Sequence, residues 1–185
     1  MLAQTIFSIL AIATTGLAAP VEPRSDDYFT PAEIHTYNIN NGAIYDTDEG
    51  RVTKAPTNGG NDITTLLTFK YPEAARGKKC QFAFYLAPGE NVIGSKKLDL
   101  YSSLAPAPGP RAGWGPGNQR NVHLGRMDVK VGGFATWEAT YGPYMTQKTD
   151  CKKPGTVEGL ELVGVYDLDA IYWNPAKSGP RIVIS

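Results

Sequence analysis

The chain is 185 residues long and carries 18 basic against 18 acidic side chains. That balance excludes the basic surplus of a nucleic-acid binder and the basic stripe of a membrane-surface binder. With 20 glycines and 14 prolines, the sequence holds no window of a dozen residues with a 3.6-residue apolar period, which points away from helix.

The amino terminus opens on Met1-Leu2-Ala3-Gln4 and continues in an apolar run from Ile6 to Leu17, with small residues at Gly16 and Ala18. This is the pattern of a secretory signal peptide over residues 1–18, cleaved after Ala18, with Ala19 as the alternative. The run is about a dozen residues, whereas a membrane span needs roughly 20. The expected product is a secreted protein of about 165 residues, extracellular or in the cell wall, with no membrane span. Residues 19–31 read as a loose amino-terminal arm and residues 32–185 as a single domain. A pro-segment ending at Arg24 has no dibasic site to support it.

From His35 onward, segments of alternating apolar and polar residues recur between Gly, Pro, Asn and Asp clusters. Asn40-Asn41-Gly42 is a hairpin turn between strands around 35–39 and 43–45. Asp46-Thr47-Asp48-Glu49-Gly50 has the oxygen density that calcium favours but lacks the ligand spacing of a calcium loop, and reads as a turn. Thr64 to Tyr71 is rich in β-branched and aromatic residues and stops at Pro72. In Cys80 to Leu86, strict period two places Cys80, Phe82, Phe84 and Leu86 on one face. The stretch Val122, Leu124, Met127, Val129, Val131 alternates with a slip that indicates a bulge at Gly125. Segments 134–141, 160–166, 168–173 and 181–184 complete a set of seven to nine short strands. The expected fold is an all-β, antiparallel β-sandwich, with Phe69, Phe82, Phe84, Val129, Val131, Leu162 and Val165 in one core. Adjacent Tyr172 and Trp173 point to opposite faces, so at least one belongs to that core.

Cys80 and Cys151 are the only cysteines, and behind a secretory signal they read as one disulfide. Between 102 and 119 lies Ala105-Pro106-Ala107-Pro108-Gly109-Pro110 followed by Gly113-Trp114-Gly115-Pro116-Gly117, a composition that cannot enter a sheet interior. It is a long surface loop in which Trp114 is flanked by Arg111 and Arg120, residue types that often dominate binding. Together with Tyr141 and Tyr144, these residues form the candidate binding surface.

The run Phe69-Lys70-Tyr71-Pro72-Glu73-Ala74-Ala75-Arg76-Gly77-Lys78-Lys79-Cys80-Gln81-Phe82-Ala83-Phe84-Tyr85-Leu86 combines an aromatic-Pro strand end, a Gly-Lys-x-Cys turn and an alternating aromatic strand. It resembles the fungal C-terminal domain family named after But-two, a ubiquitin-pathway binding protein. Cys151, the strand 160–166 and the closing Gly179-Pro180-Arg181-Ile182-Val183-Ile184 are similar to that family's second half, so the resemblance spans about residues 60–185. It implies a small secreted fungal protein and brings no catalytic residues.

The residues themselves offer little chemistry. His35 and His123 lie in different strands, without the spacing of a zinc site. No Gly-x-Ser-x-Gly occurs, and Ser95 and Ser178 sit in turn-like surroundings. Glu138, Glu161, Asp167 and Asp169 are of the type a glycosidase needs, but carboxylates alternating with apolar residues also describe a solvated sheet face. Neither catalytic residues, metal nor cofactor is expected. The leading expectation is a non-enzymatic secreted protein associated with the cell wall. A carbohydrate-binding or host-directed protein follows, its partner a cell-wall polysaccharide or an extracellular protein, and a small glycoside hydrolase comes last.

Overall fold

The computed structural model describes residues 28–107, 119–142, 145 and 147–185. Among them the chain is all-β and antiparallel, with two sheets that curl into a half-barrel sandwich. The strands are β1 (Tyr28–Phe29), β2 (Glu33–Asn38), β3 (Ile44–Asp46), β4 (Gly50–Lys54), β5 (Ile63–Lys70), β6 (Lys79–Leu86), β7 (Val92–Gly94) and β8 (Lys97–Ser103). They continue as β9 (Arg120–Asp128), β10 (Gly133–Phe134), β11 (Thr136–Thr140), β12 (Thr149–Asp150), β13 (Val157–Gly164), β14 (Asp169–Trp173) and β15 (Gly179–Ile184).

The smaller sheet runs β1-β15-β6-β10, with β12 also on β6. The larger runs β11-β9-β8-β13-β5-β4-β14-β7, and β2 branches from β5 carrying β3. The seven to nine strands expected are thus too few. The additional ones are mostly two or three residues long, too short for an alternation to register. Tyr28 and Phe29, inside the stretch read as a loose arm, pair with Val183 and Ile182, and Phe29 sets its ring edge-on to Phe69 and Tyr71. The signal segment and residues 19–27 lie outside the described residues.

The core lies between the sheets, where period two delivers Leu67 and Phe69 from β5, Phe82 and Phe84 from β6, Leu98 and Leu100 from β8, and Leu160 and Leu162 from β13. Trp173 is fully buried and Tyr172 only partly so. A β-carbon on Gly50 would stand 1.9 Å from Trp173 Cε2, and one on Gly179 would stand 2.3 Å from its Nε1. Only hydrogen at both positions lets the indole pack, and Gly179 also holds φ at +105°.

The Asn40-Asn41-Gly42 turn forms as expected: Asn38 and Ala43 close it through backbone hydrogen bonds, and Gly42 takes φ of +72°. The bulge in β9 is also present, since Leu100 pairs with Gly125 while Tyr101 pairs with His123. Val131, however, is 42 % exposed. β9 ends at Asp128, and the chain turns through Gly132 at φ +76°, so the alternation does not extend that far. Val122 is likewise exposed, because the contacts of β9 with the core begin at Leu124.

Cys80 and Cys151 are joined, with α-carbons 4.8 Å apart. The bridge ties the entry of β6 to the segment after β12, which already pairs with it through Thr149 and Cys80.

Candidate functional site

The same alternation that sends Leu160 and Leu162 into the core sends Glu161 to the other face of the large sheet. Cross-strand pairing then aligns one row on that face: His123 opposite Tyr101, Tyr101 opposite Glu161, Glu161 opposite Leu66, Leu66 opposite His35, and His35 opposite Asp46. A neighbouring row pairs Arg126 with Asp99. The charged and aromatic groups on β8, β9 and β13 are therefore brought together by register across three strands.

Tyr101 and His123 stack with ring centroids 4.6 Å apart and planes 19° from parallel. Tyr141, immediately after β11, continues the ladder 5.0 Å from His123 at a 54° tilt. It is 65 % exposed and is anchored by its backbone N–H donating to Leu124 O at 2.9 Å. At the other end, the Arg120 guanidinium carbon lies 4.9 Å from the Tyr101 ring centroid, within cation–π range.

Arg120 and Arg126 each grip a carboxylate in the fork geometry that arginine favours. Arg120 donates through Nε and Nη2 to the two Glu161 oxygens at 2.9 and 2.7 Å. Arg126 does the same to Asp99 at 2.8 and 3.0 Å and lies 5.4 Å from the Tyr166 ring. Hydrogen bonding to Glu161 holds the Arg120 guanidinium above its usual pKa, and Asp99 does likewise for Arg126. Burial raises the Tyr101 phenol, because the site disfavours a phenolate. His123 Nε2 sits 3.2 Å from Gly125 O, to which the tautomer with its proton on Nε2 donates, and 3.2 Å from Asp99 Oδ1.

The first residues of the long loop fold back across this face. Ser103 Oγ donates to Ala105 O at 2.8 Å, Thr68 Oγ1 donates to Ala107 O at 3.2 Å, and Leu104 N–H donates to Gln119 O at 2.9 Å. Gly159 permits the crossing, since a β-carbon there would stand 2.9 Å from Pro106 Cα.

Of the residues expected at a binding surface, Arg120 and Tyr141 lie on this face, while Trp114, Arg111 and Tyr144 lie outside the described residues. Sequence reasoning missed Tyr101, Asp99 and Arg126, named Glu161 only as a carboxylate of glycosidase type, and took His123 only as a metal-ligand candidate. Their common face is set by strand partners 20 to 60 residues away in sequence, by order of magnitude, and a single-strand alternation carries no signal of it.

Several other polar groups named from the sequence have partners away from this ladder. The Asp169 carboxylate accepts from Ser95 Oγ, Lys96 N–H and Val165 N–H, all within 2.8 to 2.9 Å, and burial nevertheless pushes its carboxyl above the usual range. Glu138 and Asp128 share Lys97 Nζ at 2.9 and 2.8 Å. Ser178 Oγ donates to Glu90 at 2.7 Å and accepts from Ala87 N–H at 2.9 Å. At the sheet edge, a cleft of about 480 Å³ is lined by Glu33, His35, Asp46 and Asp48 among others. His35 Nδ1 faces Asp46 Oδ1 there at 3.1 Å, with the imidazole buried. Among the described residues no three His, Cys, Asp or Glu side chains gather as a metal site, and no helix is long and apolar enough to cross a membrane.

Compared with known proteins, the chain matches no family model, no curated protein and no solved structure.

Proposed function

We propose that this protein is a non-enzymatic extracellular module, fungal and of the But-two type, that associates with the cell wall by holding polysaccharide against the Tyr101–His123–Tyr141 face. The observation that carries this reading is the ring ladder, which begins half-buried at Tyr101 and ends in a Tyr141 that is 65 % exposed. A tyrosine ring offers a flat apolar face to the C–H side of a sugar and a hydroxyl to its edge. The two buried carboxylates beneath are held by arginine, so the ladder rests on fixed rather than mobile side chains.

Three of the four carboxylates of the type a glycosidase would use favour binding over hydrolysis. Glu161 is buried under Arg120, Asp169 is held by a hydroxyl and backbone N–H groups, and Glu138 pairs with Lys97. None of these arrangements leaves two carboxylates facing one another across a cleft, as glycoside hydrolysis requires. The disulfide fits an oxidising, extracellular setting.

The test is retention of the secreted protein on insoluble chitin, β-glucan and mannan, beside its Tyr141→Ala variant. The expected outcome is retention on at least one polymer, weakened at least about tenfold by the substitution. Equal behaviour of the two proteins on every polymer would remove the ladder from the reading.

A further inference from the structure

We propose that the apolar cavity beside β6 is a binding site for a small uncharged molecule that joins a flat apolar body to a cyclic amide. The site uses none of the ladder residues, so it stands or falls independently of the polysaccharide reading.

The backbone of β6 supplies the polar half of the site. Lys79 and Ser185 exchange both of their backbone hydrogen bonds at 3.0 Å. The odd-numbered residues of β6 therefore turn N–H and C=O toward β15, and the even-numbered ones turn them away. On that far side Cys80 stands opposite Thr149 of β12. Phe84 O accepts from Ala135 N–H and Leu86 O from Gly132 N–H, both at 2.8 Å. Phe82, between Cys80 and Phe84, has no strand opposite it there. The chain leaves β6 after Ala135, and β11 crosses to the larger sheet to pair with β9, where Trp137 stands opposite Met127. Among the described residues no hydrogen bond reaches the N–H or C=O of Phe82 from that side, although Phe82 is only 1 % exposed. Buried backbone groups are paired in more than about nine cases in ten. A donor and an acceptor side by side at this depth point to a guest that supplies both partners.

The rest of the site is apolar. The cavity holds about 230 Å³ and is lined by Phe82, Phe84, Met127, Phe134, Ala135 and Trp137 among others, with no charged side chain in the lining. Phe84 and Met127 are buried, whereas Phe134 and Trp137 are partly exposed and give access. The Trp137 ring lies 6.2 Å from that of Phe82. A charged guest would lose its hydration here and meet no counter-charge. An added peptide strand does not fit, because β10 and β12 already occupy β6 on either side of Phe82. The volume is below the roughly 300 to 1,000 Å³ of sites for drug-sized ligands, which limits the guest to about ten to fifteen non-hydrogen atoms. In a cyclic amide the C=O and N–H point to the same side. One such group accepts from Phe82 N–H and donates to Phe82 C=O while its ring body lies against the aromatic walls.

The experiment titrates the isotope-labelled natural protein with three probes of nearly one shape, followed by the resonances of its backbone amide and indole N–H groups. Oxindole is a cyclic amide, N-methyloxindole keeps only the acceptor, and indole keeps only the donor. Oxindole is expected to bind with a Kd of about 0.1 to 1 mM, to shift the Phe82 amide and Trp137 indole signals most, and to slow exchange of the Phe82 amide. The two analogues should bind at least about fivefold more weakly, since each leaves one buried backbone group without a partner. Ala135→Leu fills the cavity while keeping the N–H that donates to Phe84 O, and it should abolish oxindole binding; Tyr141→Ala should leave that binding unchanged. Equal affinity for the three probes would overturn the amide assignment. The site itself would be overturned by no oxindole binding up to its solubility, by shifts confined to residues away from Phe82 and Trp137, or by a folded Ala135→Leu protein that binds oxindole as tightly as the natural one. If Ala135→Leu does not fold, the three titrations of the natural protein decide alone. Loss of oxindole binding in Tyr141→Ala would place the guest on the ladder and overturn the cavity as its site.

Discussion

Trp173 shows how strictly a single residue can be specified from outside itself. Gly50 comes within 1.9 Å of Trp173 Cε2 if given a β-carbon, while a β-carbon on Gly142 meets nothing within 4 Å. Gly50→Ala should therefore destabilise the protein by about 3 kcal/mol in urea unfolding, the upper range for overpacking a core, whereas Gly142→Ala should change it by less than about 0.5 kcal/mol. Asp169 is the corresponding polar case. Its folded pKa is raised by burial, against the donors from Ser95, Val165 and Lys96. A carboxyl that binds its proton more tightly when folded contributes stability that is full below its unfolded pKa and is lost as pH rises through the folded one. The stability gap between the natural protein and Asp169→Asn, which cannot titrate, should thus be wider at about pH 3 than at about pH 7. Denaturant midpoints at the two pH values check this, and a gap that widens with pH would reverse the sign.

At the scale of elements, the face between β8, β9 and β13 is held by charge pairs whose burial separates structural from incidental ones. Arg120 covers Glu161, whose side chain is fully buried, while Arg76 pairs with Glu73 where both side chains are more than two thirds exposed. Arg120→Ala should cost about 3 to 5 kcal/mol, because it removes the two-point partner of a buried carboxylate. Arg76→Ala should produce no measurable change in thermal unfolding, since an exposed pair is screened and its side chains are dearly ordered. Two neighbouring loops are locked in the same spirit. Lys96 and Tyr166 both take positive φ, 62° and 58°, and both flank groups that donate to Asp169. The chain accepts two left-handed non-glycine residues there because one buried carboxylate organises both turns.

The whole molecule is a two-sheet sandwich with one covalent tie. The disulfide closes a separation of 71 residues, for which the chain-entropy account gives about 4 kcal/mol of stabilisation through the unfolded state. Reduction, or replacing both cysteines by alanine, should lower stability by about that amount while leaving a β-type circular dichroism spectrum, because the core extends over both sheets and the bridge sits at one end. A reduced protein that loses its β signal at room temperature would show the bridge to be required for the fold.

What the amino-acid sequence determined by itself is local and periodic. Alternation over Thr64–Tyr71 and Cys80–Leu86 placed the strands and their core faces, Asn40-Asn41-Gly42 placed a hairpin, and a lone pair of cysteines defined one bridge. These succeed because strand period and turn conformation depend on neighbours within a few residues. The same local logic fails at Val131, where the chain turns through Gly132 and leaves the strand, and at β1, β10 and β12, which are strands only because a partner is present. Apart from Arg120 and Tyr141, expected at a binding surface from their residue types, the candidate site belongs to the second kind. Nothing near Tyr101, His123 or Glu161 marks them in sequence, and Glu161 in isolation reads as a solvated face residue. Antiparallel register decides that these three stand in one row, and the crossing of Leu104–Ala107 over Gly159 helps to close the face beside it. Register is a relation between strands distant in sequence, set by burying both sheets at once, so only the tertiary structure could decide which polar residues share a surface.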